Sequence, residues 1–121
     1  MMNKGRIYFN HSPKPTIGVD AELFTVSSYT YDLYPGAPLI LDAFPDSQHV
    51  KEEFLECIVE VNTGICNDVA DVSSALTSQI AEVRQVADKE NMALISMGTH
   101  PFAFWIPGLF RKINGEQHGM D

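Results

Sequence analysis

The chain has 121 residues, 45 % of them hydrophobic and 20 % charged, which is the size and composition of one folded domain and excludes global disorder. Sixteen acids against eight bases give a net charge of -8, a surface that repels a phosphate backbone and makes nucleic acid an unexpected partner. The chain lacks the run of about 20 apolar residues needed for a membrane span. Cys57 and Cys66 are its only cysteines, too few for a disulfide framework or a thiolate metal site, so the expected setting is cytoplasmic, with both thiols free.

Residues 1–15 are polar and end in Ser12-Pro13-Lys14-Pro15, the composition of a flexible leader. A strand is predicted from Thr16 to about Val26. Its period-two alternation puts Asp20 and Glu22 on one face and Ile17, Val19, Ala21 and Leu23 on the other. Turn-forming clusters at 34–38 and 44–47 bracket the run Leu39–Phe44, which is short enough to be either helix or strand. A second strand is expected over Glu52–Val61, favoured by Ile58, Val59 and Val61. It would carry Glu52, Glu56, Glu60 and Asn62 on one face; a helix here would still bring Glu56 and Glu60 to a common side.

The clearest helix follows. Asn67 or Asp68 can cap it, and Val69, Val72, Leu76, Ile80, Val83 and Val86 recur at spacings of three and four. Lys89 lies in its last turn, and Asn91 can adopt the left-handed conformation that ends it. Met92–Met97 then reads as a short buried strand leading into Gly98-Thr99-His100-Pro101-Phe102. Strands packed on one long amphipathic helix define an α+β fold. The stretch 107–121 has little apolar periodicity and reads as a loose tail.

Two acid-faced strands in one small domain suggest a cation site. On a strand the β-carbons of Asp20 and Glu22 stand roughly 7 Å apart, and two charges at that distance repel by about 2 kcal/mol at an effective dielectric near 20. Mg²⁺ or Mn²⁺ is the natural neutralising partner, because hard cations take carboxylate oxygens and leave positions open for substrate phosphates. His11, His49 and His118 have no metal-binding spacing. Neither a phosphate-cradling glycine loop nor a Gly-x-Ser-x-Gly elbow is present.

The succession Thr-Ile-Gly-Val-Asp-Ala-Glu-Leu-Phe (16–24), Glu-Cys-Ile-Val-Glu-Val-Asn-Thr (56–63), an amphipathic helix, and Gly-Thr-His-Pro-Phe (98–102) followed by Trp105 resembles the N-terminal portion of the carboxylate-amine ligases of the glutamate-cysteine ligase type 2 family. The resemblance implies a partial antiparallel or mixed sheet of the glutamine synthetase-like type over residues 16–106. It further implies ATP and Mg²⁺ (or Mn²⁺) as cofactors, glutamate and an amine such as cysteine as substrates, and γ-glutamyl amide formation through an acyl phosphate. By this resemblance Asp20, Glu22, Glu56 and Glu60 would hold metal, and Glu22, Glu56, Glu60 and Thr63 would line the nucleotide site. His100 would line the substrate cleft or shape its turn.

Two departures stand out. Asp20 replaces the family's usual Glu and sets its carboxylate back by about 1.5 Å. Members of that family are also about three times as long, and beyond Lys14 this chain offers as bases only Lys51, Arg84, Lys89, Arg111 and Lys112, none expected on the acid face. The chain alone is therefore expected to be inactive. The alternative is a non-catalytic module that binds a partner or self-associates through an exposed sheet edge.

Overall fold

A computed structural model describes residues 5–103; the expected tail, Trp105, Arg111 and Lys112 lie outside that range. Four strands and two helices follow one another as β1 (Asp20–Ser27), α1 (Ala37–Ala43), β2 (Val50–Glu52), β3 (Ile58–Asn62), α2 (Val69–Lys89) and β4 (Met92–Ile95). The strands form one antiparallel sheet in the order β2-β3-β1-β4. The fold is α+β, as expected.

Each helix has a local cause. In α2 the Asp68 carboxylate accepts from the backbone N–H of Asp71, and Asn91 takes a φ of 54° just past the end, the stop that Asn tolerates among non-glycine residues. Leu76, Ile80, Val83 and Ala87 form its buried stripe, at the four-three-four spacing of one helical face. The run Leu39–Phe44 resolves as α1 plus its C-cap residue, with Pro38 at the helix start, where a missing N–H costs nothing. Gly36 precedes α1 and is buried; a β-carbon there would collide with Met92 Sδ.

Register divides the sheet into two unlike faces. The pairs Leu23–Val59, Ala21–Val61, Val50–Val61 and Ser27–Met92 define the face on which both helices lie. There Leu23, Val50, Val59, Val61 and Met92 pack against Ala37, Ile40, Val83 and Ala87 in the main core. The opposite face is half apolar and half charged. Phe24 and Ile58 pack at one end with Cys57, Leu33, Leu55 and Met97, while Asp20, Glu22, Glu60 and Lys51 occupy the other.

Two expectations need correction. The predicted strand Glu52–Val61 is instead a hairpin, β2 and β3 joined by residues 53–57, so Glu56 lies in the turn rather than on a strand beside Glu60. The first strand begins at Asp20, not Thr16. Ile17 is only bridged to Cys66, and Ile17 and Val19 remain about 40 % exposed, because the backbone there pairs with the chain after β3 and lies outside the main core.

Candidate functional site

The charged end of the sheet gathers three carboxylates. Glu22 faces Glu60 directly across the β1–β3 ladder, and Glu53, the first residue after β2, continues the face of Lys51 and reaches the same spot. Ligand oxygens of Glu22, Glu53 and Glu60 all lie within 4.8 Å of one another. An octahedral Mg²⁺ with bonds of about 2.1 Å spans roughly 4.2 Å between trans ligands, so small side-chain rotations would close these oxygens on one ion. The donor set consists only of hard carboxylate oxygens, the chemistry Mg²⁺ and Mn²⁺ prefer.

The electrostatics of the cluster favour a cation. Burial pushes the Glu60 carboxyl above its ordinary value, and its hydrogen bond with Glu53 and the charges of Asp20 and Glu53 add to the effect. Lys51 opposes it. Lys51 pairs with Glu60 across β2 and β3, so the expectation that no base shares the acid face is overturned by the hairpin, which turns Lys51 onto it.

The remaining expected site residues are placed as follows. Asp20 opens β1 opposite Asn62 and stays exposed, close enough for its charge to act on Glu60 but outside the triad. The structure does not gather Glu56 with the triad; its carbonyl accepts from the N–H of Ala37. Thr63 is buried, its hydroxyl accepting from the N–H of Val19 and donating to the carbonyl of Gly64. This exchange ties the end of β3 to the approach to β1, and Gly64 supplies the φ of 70° that the bend requires.

His100 lies beyond the other end of β1. Nε2 stands 2.7 Å from the carbonyl oxygen of Tyr31, and Nδ1 accepts from the N–H of Phe102 at 3.2 Å, so an Nε2-protonated ring satisfies both contacts. Tyr31 is held at a φ of 60°, a conformation costly for a residue of its size, and the His100 contact helps to fix it. Cys57 and Cys66 are buried and free. Burial pushes the Cys57 thiol up, the opposite of a reactive thiolate.

Sequence reasoning missed Glu53 and Lys51 as members of the acid face. On one continuous strand Glu52, Glu56 and Glu60 share a side; in the hairpin the register Lys51–Glu60 assigns odd positions of β2 to that side. The only signal was the charge pattern itself. The turn segment Glu53-Phe54-Leu55-Glu56-Cys57 carries no Gly, Pro, Asn or Asp to mark it.

Comparison with known proteins decides the family. A model of glutamate-cysteine ligase family 2 matches residues 16–115. The chain belongs to this family. It is 38 % identical over 103 residues to a candidate glutamate-cysteine ligase 2 of Gloeobacter violaceus, an alignment covering 82 % of this chain and 28 % of that protein. Candidate glutamate-cysteine ligases 2-1 of Mycobacterium sp. (strain KMS) and Mycolicibacterium vanbaalenii are 38 % and 39 % identical over 83 % and 84 % of this chain, and over 27 % of each relative. The chain thus spans little more than a quarter of the relatives it matches. Among the described residues no helix is long and apolar enough to cross a membrane.

Proposed function

We propose that this chain carries the divalent-cation platform of an ATP-dependent glutamate-cysteine ligase-like enzyme, with Glu22, Glu53 and Glu60 as the ligand set. The observation that carries the proposal is the convergence of three carboxylates from β1, β3 and the end of β2 on the sheet face opposite the helices, in a chain of this family. Glu22, Glu53 and Glu60 would hold Mg²⁺ or Mn²⁺ there, and the ion would supply positive charge for phosphoryl transfer.

The chain's own residues have defined tasks. The β1–β3 ladder holds Glu22 and Glu60 in direct opposition, and the hairpin delivers Glu53 as the third ligand. Asp20 adds negative potential from the rim, its charge acting on Glu60. Thr63 and His100 act as positioning residues, Thr63 at the mouth of β1 and β3 and His100 at the loop after β1. The reaction served is phosphorylation of the side-chain carboxylate of glutamate by ATP and displacement of phosphate by an amine such as cysteine, in the cytoplasm. The 121-residue chain by itself is expected to be inactive.

Calorimetric titration of Mn²⁺ tests the platform: saturable binding to the native chain, lost in Glu22→Gln and Glu60→Gln, supports it, and equal binding by all three refutes it. Amide formation from glutamate, cysteine and ATP by the chain alone would refute the expectation of inactivity. A non-catalytic module that self-associates draws on the short edge strands β2 and β4, and predicts a mass that rises with concentration in sedimentation experiments.

A further inference from the structure

We propose that the arm preceding β1, residues 5–15, docks through Ile7, Tyr8 and Phe9 on a second copy of this chain, at the corner where residues 17–19 run beside residues 63–66 and α2 begins. Arm and corner both lie apart from the carboxylate triad and from the edge strands β2 and β4.

Every residue from Gly5 to Pro15 is exposed, and Ile7, Tyr8 and Phe9 are 79–84 % exposed. Three consecutive large apolar side chains in water forgo the free energy that burial would supply, and their own domain does not cover them. Pro13 and Pro15 fix their own φ and bias Ser12 and Lys14 to extended backbone, which carries the arm away from the domain it leaves. The chain from Ile7 to Ile17 spans at most about 33 Å.

Charge selects what the arm meets. All sixteen acids lie at or beyond Asp20, whereas residues 1–19 carry three of the eight bases, Lys4, Arg6 and Lys14. The rest of the chain holds five bases against sixteen acids, a net charge of -11. Such a body repels anionic lipid and nucleic acid and attracts a basic arm. At physiological salt charges act over about 8 Å, so the contact of arm with corner outweighs the like net charge of two copies.

The corner is the complement of the arm. Paired hydrogen bonds between Ile17 and Cys66, and one from the N–H of Thr63 to the carbonyl of Val19, set the two segments side by side. Ile65 and Val69 are left 86 % and 75 % exposed there, with Ile17 and Val19 also open to solvent. Residues 17–20 and 63–71 carry Asp20, Asp68 and Asp71, all exposed, and no lysine or arginine. An aromatic arm with bases thus faces an apolar corner with acids. Because one chain owns both, a two-fold axis lets each copy's arm engage the other's corner. Tyr8 and Phe9 bury about 150–250 Å² each; with two arms and the two surfaces that receive them, the total reaches about 1,200–2,000 Å², the size of a specific interface.

Sedimentation velocity of the full chain, from micromolar to submillimolar concentration, tests the proposal. The variants are Tyr8→Ser/Phe9→Ser on the arm, Ile65→Ser/Val69→Ser on the corner, the two combined, and Arg6→Glu. The native chain is expected to dimerise. Each double variant should raise the dissociation constant about tenfold or more, and the combined variant should go little further, because both changes remove one contact. All these residues are exposed, so melting temperatures should stay native; the arm variant, which alters nothing in the core, decides alone if the corner variant melts early. Arg6→Glu should weaken the dimer as well, and native affinity in that variant overturns the choice of occupant by charge. A native chain that stays monomeric throughout, or a dimer that the arm variant leaves unmoved, overturns the proposal, the second result pointing to sheet-edge pairing instead. Cosedimentation of a monomeric chain with vesicles of equal parts phosphatidylserine and phosphatidylcholine would assign the arm to a membrane and overturn it likewise.

Discussion

Replacing Glu60 by glutamine is expected to stabilise the metal-free protein while abolishing its cation site. The structure sets the scale: carboxylate oxygens of Glu22, Glu53 and Glu60 lie within 4.8 Å of one another, a separation at which two full charges repel by about 3.5 kcal/mol at an effective dielectric of 20 and about 0.9 kcal/mol at 80. Glu60 is only half-buried and Glu22 is exposed, so screening discounts the higher figure strongly. A gain of about 1 kcal/mol remains for Glu60→Gln at neutral pH, equivalent to about 4 °C in melting temperature for a domain of 121 residues.

The sign of the pH dependence follows from linkage. Glu60 holds its proton more tightly folded than unfolded, where its value is near 4.5. Its contribution to stability is thus fully present below that value and is lost as pH rises through the higher folded one. Thermal denaturation of the native chain and of Glu60→Gln, in chelator, should agree below about pH 4 and diverge above it in favour of the variant. A Glu60→Gln protein that is less stable at pH 7, or whose advantage is the same at pH 3.5 and pH 7, refutes the repulsion argument.

Other expectations concern the frame around the site. Gly36→Ala places a methyl group on Met92 Sδ and should cost about 1–3 kcal/mol in urea denaturation, the usual penalty of overpacking. Asp68→Ala removes the α2 cap at Asp71 and should cost about 1 kcal/mol, with Asp68→Ser recovering most of it. Thr63→Val leaves the Val19 N–H without its hydroxyl acceptor and should cost about 1–3 kcal/mol. His100→Ala releases the Tyr31 carbonyl, and hydrogen exchange in the loop after β1 should quicken while Mn²⁺ affinity stays unchanged.

Local features were legible in the sequence because local chemistry determines them. The cap of α2 and the Asn91 stop appear where the side-chain pattern places them, as does the stripe over Leu76, Ile80 and Val83; Val69, expected to begin that stripe, is 75 % exposed, and Ala87 joins it instead. That Glu22 and Glu60 each lie on an acid face was legible too, since each strand alternates in its own right; their direct opposition in the ladder was not. What escaped was the hairpin. A turn with no turn residues leaves periodicity running unbroken through Glu52–Val61, and the true parity of β2 depends on pairing with β3, a non-local fact. That single change moves Glu56 off the face, brings Glu53 into the triad and turns Lys51 toward the acids. Likewise the apolar Ile17 and Val19 looked like core, but whether a strand's apolar side is covered depends on where α1 and α2 end.

The most direct test of the account is Mn²⁺ affinity measured side by side for the native chain and for Glu22→Gln, Glu53→Gln, Glu60→Gln and Glu56→Gln. The account predicts at least a tenfold loss, about 1.4 kcal/mol, in each of the first three variants and native affinity in Glu56→Gln. Loss in Glu56→Gln with full binding in Glu53→Gln would contradict it.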